Sequence, residues 1–472
     1  MPVPLAPTQI VVLGGSGDLA QKKLIPALFH LFTKGLLPEH HRIIAVARRP
    51  YTLEAYRAII RESIAAQAHD HDNESIDRFC TCITYHAGDL NEPNTYAELA
   101  DELEAYAREI KQCTNKLFYL AVPPRFFSTI FAELAASQAV AECTDTNGWS
   151  RILVEKPFGS DLASAKALDE QLAKLYREDQ IYRIDHYLAK EAVQNILSFR
   201  FANALMQNTW SGAHIERVHI RLHERTTVAD RGSFYDAVGA LRDVGQNHLL
   251  QLLALIAMEE PQEFSSEGIR PERARALAAL TLPTTDTAPF VRGQYAGFTE
   301  HEGVADDSTT ETYFALEARV ASKRWEGVPF YLEAGKALAE DRVEITVVFR
   351  DVTDGLFATD GCASCRNSVT LTIQPTQTIA IRLNAKSPGL GYHLENRTLA
   401  LSCGEDSGEI RNSYEKVLYD CICGSQTVFT TSDEVRAAWH FIEAVQAAWQ
   451  ETPLEPYEQG SDGPEQPVIP SI

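Results

Sequence analysis

The chain is poor in positive charge: 43 Lys and Arg stand against 65 Asp and Glu, a formal net charge of −22 over 472 residues. That balance excludes general affinity for nucleic acid or an anionic membrane, so any anionic ligand must be met by local cations. No apolar run approaches the length of a membrane span. The start, Met1 to Pro7, lacks a basic region followed by an apolar stretch, so no secretory signal is expected and the cytoplasm is the expected compartment. Nine cysteines form no even framework, which predicts reduced thiols. Cys362 and Cys365 have no second pair or nearby histidines, and no acidic or His/Cys cluster has ligand spacing, so no metal site is expected. Repeats and long low-complexity segments are also missing.

What remains has the composition of a water-soluble globular protein, 45% hydrophobic and 23% charged, long enough for two domains. Up to about Gly159, short β-branched runs at 10–13, 43–47, 81–86, 117–121 and 152–154 alternate with helical patterns, which predicts a doubly wound parallel sheet. Beyond Arg183, helical patterns around 188–205 and 237–258 mix with strand patterns at 215–222, 312–320, 343–349, 369–374 and 378–383. Strands without intervening helices imply a large, mainly antiparallel sheet in an α+β domain, closed by a helix over 432–449. The fold class is thus α/β plus α+β. The expected boundaries are a Rossmann-like domain over 1–182, an α+β substrate-binding and oligomerisation domain over 183–450, and a loosely ordered tail over 451–472.

The first strand pattern runs into Gly14-Gly15-Ser16-Gly17-Asp18-Leu19-Ala20 and then a helix, a strand, glycine turn, helix unit suited to a pyrophosphate. The second strand ends in Arg48-Arg49 with no acid, favouring the 2′-phosphate of NADP, with NAD as a secondary coenzyme. Tyr119 to Pro124 ends another strand at the sheet edge where dinucleotides lie, and Glu155-Lys156-Pro157 ends the next with a Lys-Pro step that is a candidate cis bond. The densest chemistry is Arg183-Ile184-Asp185-His186-Tyr187-Leu188-Ala189-Lys190-Glu191. If Leu188 onward is helical, His186 and Lys190 lie on one side as an anion clamp; a solvated helix start capped by Asp185 is the bland reading. Asp243, Asn247 and His248 interrupt an apolar helix and need polar partners.

Gly14 to Ala20, Glu155 to Gly159, Arg183 to Glu191 and Arg242 to Gln251, with Gly335-Lys336-Ala337-Leu338, Gln374-Pro375, Cys423 to Gln426, Asp433-Glu434 and Ala438-Trp439, resemble the glucose-6-phosphate dehydrogenase family over nearly the whole chain. The resemblance implies His248 as catalytic base with Asp185 as its carboxylate partner. It implies His186, Tyr187 and Lys190 on the substrate phosphate, Glu224 and Asp243 on sugar hydroxyls, Lys336 and Gln374 lining the pocket, and Lys156 between sugar and coenzyme. Coenzyme contacts are expected from Gly14, Gly15, Ser16, Gly17, Asp18, Leu19, Arg48, Arg49, Tyr119, Pro124 and Lys156. The implied substrate is a sugar phosphate, and a homodimer or homotetramer is implied. Where the family has a basic residue five places after the lysine matched by Lys336, this chain has Asp341; Arg342 is the expected substitute, and a 6-sulfonated glucose is the alternative anion. Gly15 stands where the family has alanine and Ala189 where it has glycine, both expected to be tolerated. A Gfo/Idh/MocA-type sugar dehydrogenase and a non-catalytic regulatory homologue are the rival readings.

Overall fold

A computed structural model describes residues 5–66, 72–142, 148–283, 290–351, 366–403, 412–465 and 470. The Cys362/Cys365 pair lies outside them. The chain divides into two compact units, the first made of 1–159, 163–189 and 408–432, the second of 160–162, 190–407 and 433–472.

In the first unit the β-branched runs form β1 (Thr8–Leu13), β2 (His41–Ala47), β3 (Ile83–Ala87), β4 (Asn115–Leu120), β5 (Ser150–Val154) and β6 (Ile181–Ile184). They make a parallel sheet in the order β6-β5-β4-β1-β2-β3. Val11, Leu13, Ile44, Val46, Leu117 and Leu153 are fully buried, as expected of strands covered on both faces. The strand at 181–184 is not among the strand patterns of the sequence. It extends the sheet by pairing β5, and Phe429–Thr430 adds an antiparallel strand beyond it. That pairing draws residues 408–432 into the first unit, a long-range assignment that local pattern does not carry. Among the described residues, Cys113 departs from the expectation of reduced cysteines: it is disulfide-bonded.

The second unit is built on a sheet whose strands run, in spatial order, Leu394–Ser402, Thr378–Lys386, Ser368–Gln374, Arg342–Phe349, Ile215–His223, Phe330–Gly335, Tyr313–Val320, Phe290–Tyr295 and Leu454–Tyr457. All neighbours are antiparallel except Ile215–His223 with Phe330–Gly335, and Phe290–Tyr295 with Leu454–Tyr457. Residues 454–457, expected in a loosely ordered tail, are therefore structural. Tyr457 is buried, and its hydroxyl donates to the Lys336 carbonyl at 2.7 Å. A phenol offering both ring area and a donor anchors a segment whose Pro and Glu content suggested disorder. Alternation gives this sheet one apolar face, with Val218, Ile220 and Leu222 buried, and one polar face bearing Arg217, His219, Arg221 and His223.

Candidate functional site

In the first unit the glycine turn follows β1 directly. Gly14 has φ +93°, and an added Cβ there would lie 2.4 Å from the Ala121 carbonyl. At Gly15 it would lie 2.6 Å from the Ala45 Cβ, so the second strand itself excludes a side chain. The Gly14 and Gly15 amides donate to the Val46 carbonyl, and Tyr56 donates to the Gly15 carbonyl at 2.7 Å. These bonds fix the turn. The Ser16, Gly17 and Leu19 backbone and the exposed Asp18 then lead into a helix that begins π-helical at Ala20–Leu24 and continues as Ile25–Thr33. A backbone cradle that tolerates no added carbon and opens a helix fits a pyrophosphate. Arg48 and Arg49 are exposed just beyond β2.

Pro124 is exposed at the end of β4, but Tyr119 is not available as expected: it is fully buried and its hydroxyl donates to Glu155 Oε1. Glu155 closes β5. Its other oxygen, Oε2, lies 3.1 Å from His186 Nε2. Burial pushes the Glu155 carboxyl up, but His186, the Tyr119 hydroxyl and Lys156 outweigh burial and hold it below the usual carboxylate range. Tyr119 shifts the other way, pushed well up by burial and by Glu155, and stays a donor. Lys156, partly exposed, follows through a cis peptide bond to Pro157.

The segment after β6 is a turn and not the helix expected from Leu188 onward. Asp185 is buried; its Oδ1 accepts the Tyr187 amide at 2.9 Å and its carbonyl accepts the Leu188 amide at 3.1 Å. An aspartate that bonds the backbone two residues on favours a turn over a helix. The helix starts at Glu191, with Lys190 as N-cap, so the clamp of His186 and Lys190 four apart on one helix does not form. Tyr187 is partly exposed, and the His186 ring instead rests against Tyr414, centroids 4.5 Å apart. Arg183 is structural: nearly buried, it pairs with Asp169 and Glu178 at 3.2 and 2.8 Å.

In the second unit, Lys190 Nζ donates to Gln374 Oε1 at 3.0 Å, where a cis bond links Gln374 to Pro375. Buried Lys336 pairs with Glu224 Oε2 at 2.7 Å and lies 5.4 Å from the centre of the Tyr235 ring. Tyr235, missed in the sequence, is buried; burial pushes its phenol well up, with Asp243, Glu311 and Glu224 adding to it. Nothing in a run of aromatic and aliphatic residues marked it. His248 is buried on a π-helical stretch, Leu241–Leu249, that also carries Asp243. Asn247 accepts the His248 amide at 2.7 Å and donates to the Asp243 carbonyl at 2.9 Å. Long π-helical turns are rare and often mark functional sites.

Arg342 is the cation expected to stand in for the missing basic residue. It pairs with Glu340 at 2.5 Å and Glu344 at 3.6 Å. In register it stands opposite His223, whereas its neighbour Val343 stands opposite Gln374. Asp341 accepts the Arg225 amide at 2.9 Å, so it fastens the loop and adds no cation.

Among the described residues no group of His, Cys, Asp and Glu could hold a metal ion, and no helix is long and apolar enough to cross a membrane.

The family models described as glucose-6-phosphate dehydrogenase, NAD binding domain, and glucose-6-phosphate dehydrogenase, C-terminal domain, match residues 11–195 and 197–468. The chain is 39% identical to a glucose-6-phosphate 1-dehydrogenase of Bacillus subtilis (strain 168), over 97% of this chain and 95% of that one. A solved glucose-6-phosphate dehydrogenase in complex with its substrate glucose-6-phosphate superposes with a TM-score of 0.89 at 34% identity, covering 98% of this chain and 97% of that chain. A glucose-6-phosphate 1-dehydrogenase structure from Mycobacterium avium gives 0.84 at 34% identity, covering 98% of this chain and 100% of that chain.

Proposed function

The chain belongs to the glucose-6-phosphate dehydrogenase family, and we propose that it oxidises C1 of D-glucose 6-phosphate to 6-phospho-D-glucono-1,5-lactone, with hydride transfer to NADP+. The observation that carries this reading is the match to that family across both units at 39% identity. It also sets aside the Gfo/Idh/MocA-type and sulfonated-glucose alternatives.

In this reading His248 accepts the proton of the C1 hydroxyl, a step open to a neutral imidazole near physiological pH. Asp185 is assigned as the carboxylate that supports it. Glu224 and Asp243 bind sugar hydroxyls, and Lys336, already paired with Glu224, adds positive charge beside them. His186, Tyr187 and Lys190 bind the phosphate, with Gln374 holding Lys190. Lys156 is placed between sugar and coenzyme. The coenzyme supplies the hydride acceptor. The Gly14 to Leu19 turn and Pro124 would hold it, and Arg48 and Arg49 would meet the 2′-phosphate, which makes NADP the favoured coenzyme over NAD. Tyr119 acts behind the site through Glu155, and Arg342 is the cation proposed to stand in for the family's second basic residue on the phosphate.

A homodimer or homotetramer is also proposed. It is supported by the apolar patch on the edge strands, where Leu383, Leu399 and Leu401 are 41%, 62% and 60% exposed on one sheet face. The cytoplasm is the compartment this chemistry suits.

The test measures reduced nicotinamide formed from glucose 6-phosphate, glucose and 6-sulfonated glucose, each with NADP and NAD. Turnover is expected with glucose 6-phosphate and NADP above all other pairs. A folded protein that reduces neither coenzyme with any of the three sugars would overturn the reading.

A further inference from the structure

Glu155 is assigned no contact to substrate or coenzyme, yet it is the centre of a buried polar chain confined to the first unit. It ends β5, is 9% exposed, and divides its two oxygens between Tyr119 and His186. Tyr119, on the neighbouring strand β4, has no exposed surface and no second polar partner for its hydroxyl among the bonds described. Tyr414 packs its ring against the imidazole from a third element, the helix Ser413–Cys423. That helix is itself fixed: Glu415, the next residue, pairs with His30 of the glycine-turn helix at 2.6 Å, both side chains nearly buried.

The consequence for His186 is geometric. An imidazole held on one nitrogen by a carboxylate and on one face by a fixed ring has little freedom to rotate. Its other nitrogen, Nδ1, has no hydrogen-bond partner among the described residues. A buried polar atom without a partner is costly, and a ligand accepting or donating there would remove that cost.

We propose that Glu155 is a positioning residue: it orients His186 so that the ring nitrogen not bonded to Glu155 is presented to the anionic group of the substrate, with Tyr119 locking the Glu155 carboxylate from behind. This rests on the reading of His186 as a phosphate contact. Glu155 acts only through His186 and touches no reacting atom. Its loss therefore falls on recognition of the anion and not on the hydride step.

The experiment compares wild type with Glu155→Gln and Tyr119→Phe on glucose 6-phosphate and on unphosphorylated glucose. Glu155→Gln keeps the volume of the side chain but replaces a charged acceptor by a neutral amide. The expected result is a KM for glucose 6-phosphate raised roughly tenfold or more, with kcat changed less than threefold and kcat/KM for glucose unaltered. Tyr119→Phe shifts KM the same way by a smaller factor. Equal losses on both sugars, or a fall in kcat alone, would overturn the proposal.

A second readout separates this inference from the assigned activity. Nitrogen-15 NMR of the His186 ring, identified by its loss in His186→Gln, is expected to show a protonated Nε2 in wild type and a changed ring signal in Glu155→Gln. An unchanged signal overturns the positioning role whatever the enzyme turns over. A changed signal in a protein that does not oxidise glucose 6-phosphate leaves the positioning role standing and overturns the substrate assignment instead. Circular dichroism and the melting temperature of each variant identify misfolding, and in that case Tyr119→Phe, which removes one hydroxyl, carries the decision.

Discussion

One carbon atom decides the identity of residue 15. The resemblance implies alanine there, which makes glycine a small-for-small change in sequence terms. Packing makes it a requirement, because an alanine Cβ would meet Ala45 at 2.6 Å. Gly15→Ala is expected to destabilise the chain by about 1–3 kcal/mol through overpacking, and Ala45→Gly is expected to restore most of it; thermal melts of the two single variants and the double variant check this. At the exposed Arg48 the reasoning is electrostatic. Arg48→Ala is expected to weaken NADP by roughly 10- to 100-fold, the range for a hydrogen bond to a charged group, while NAD changes little. KM for each coenzyme measures it, and equal losses would contradict the 2′-phosphate assignment. His248→Asn keeps a polar side chain at a buried position but removes the proposed base. Turnover is expected to fall by ~10²- to 10⁴-fold with substrate binding retained, measured as kcat against the dissociation constant for glucose 6-phosphate.

Elements hold these residues in ways that the sequence shows only in part. The pattern over 237–258 predicts one helix, but the chain makes three segments: an α-helix Gly232–Ala240, the π-helical Leu241–Leu249 and an α-helix Leu250–Ala257. Gly239, at φ +74°, breaks the first from the second, and its missing Cβ makes room for the Glu311 carboxyl. Glu311 Oε1 accepts the Leu241 amide at 3.1 Å and so caps the stretch bearing His248. Such a cap is invisible to periodicity, since donor and acceptor lie 70 residues apart. The turn at Asp185 was missed for the opposite reason. Apolar spacing from Leu188 to Phe201 is helical, but one aspartate bonding its local backbone delays the start to Glu191. Burial lifts the Glu311 carboxyl above the ordinary range, against the opposing pull of backbone amides, Arg292 and Arg242. The folded chain thus holds this proton more tightly than the unfolded chain. Its contribution is present below the unfolded value and is lost as pH rises through the folded one. Glu311→Gln, neutral at every pH, is expected to gain on wild type as pH rises from acid to neutral, by about 2 °C in melting temperature. A gap that stays constant or shrinks with rising pH would show that Glu311 is already charged in the fold.

At the scale of the whole molecule, the two-part organisation was legible because periodicity changes near residue 183, from strands separated by helices to strands in succession. Less legible was which unit a distant segment joins. Residues 408–432 return to the first unit through Phe429–Thr430, and Leu454–Tyr457 completes the edge of the second sheet. Both assignments depend on pairings over more than 150 residues, which local pattern does not encode. The opposite edge carries the last consequence. Leu399 and Leu401 lie on an edge strand with most of their surface exposed, and Leu383 shares their face. A chain with net charge −22 resists nonspecific association, so apolar area kept on one edge points to specific self-association. The double variant Leu399→Glu, Leu401→Glu adds two like charges per chain to that face, and like charges facing each other across an interface oppose association. Light scattering at micromolar protein is expected to show a smaller particle than wild type at low salt, with part of the difference recovered at high salt as screening shortens the repulsion. A wild-type monomer, or a variant of unchanged mass, would remove this face from the assembly.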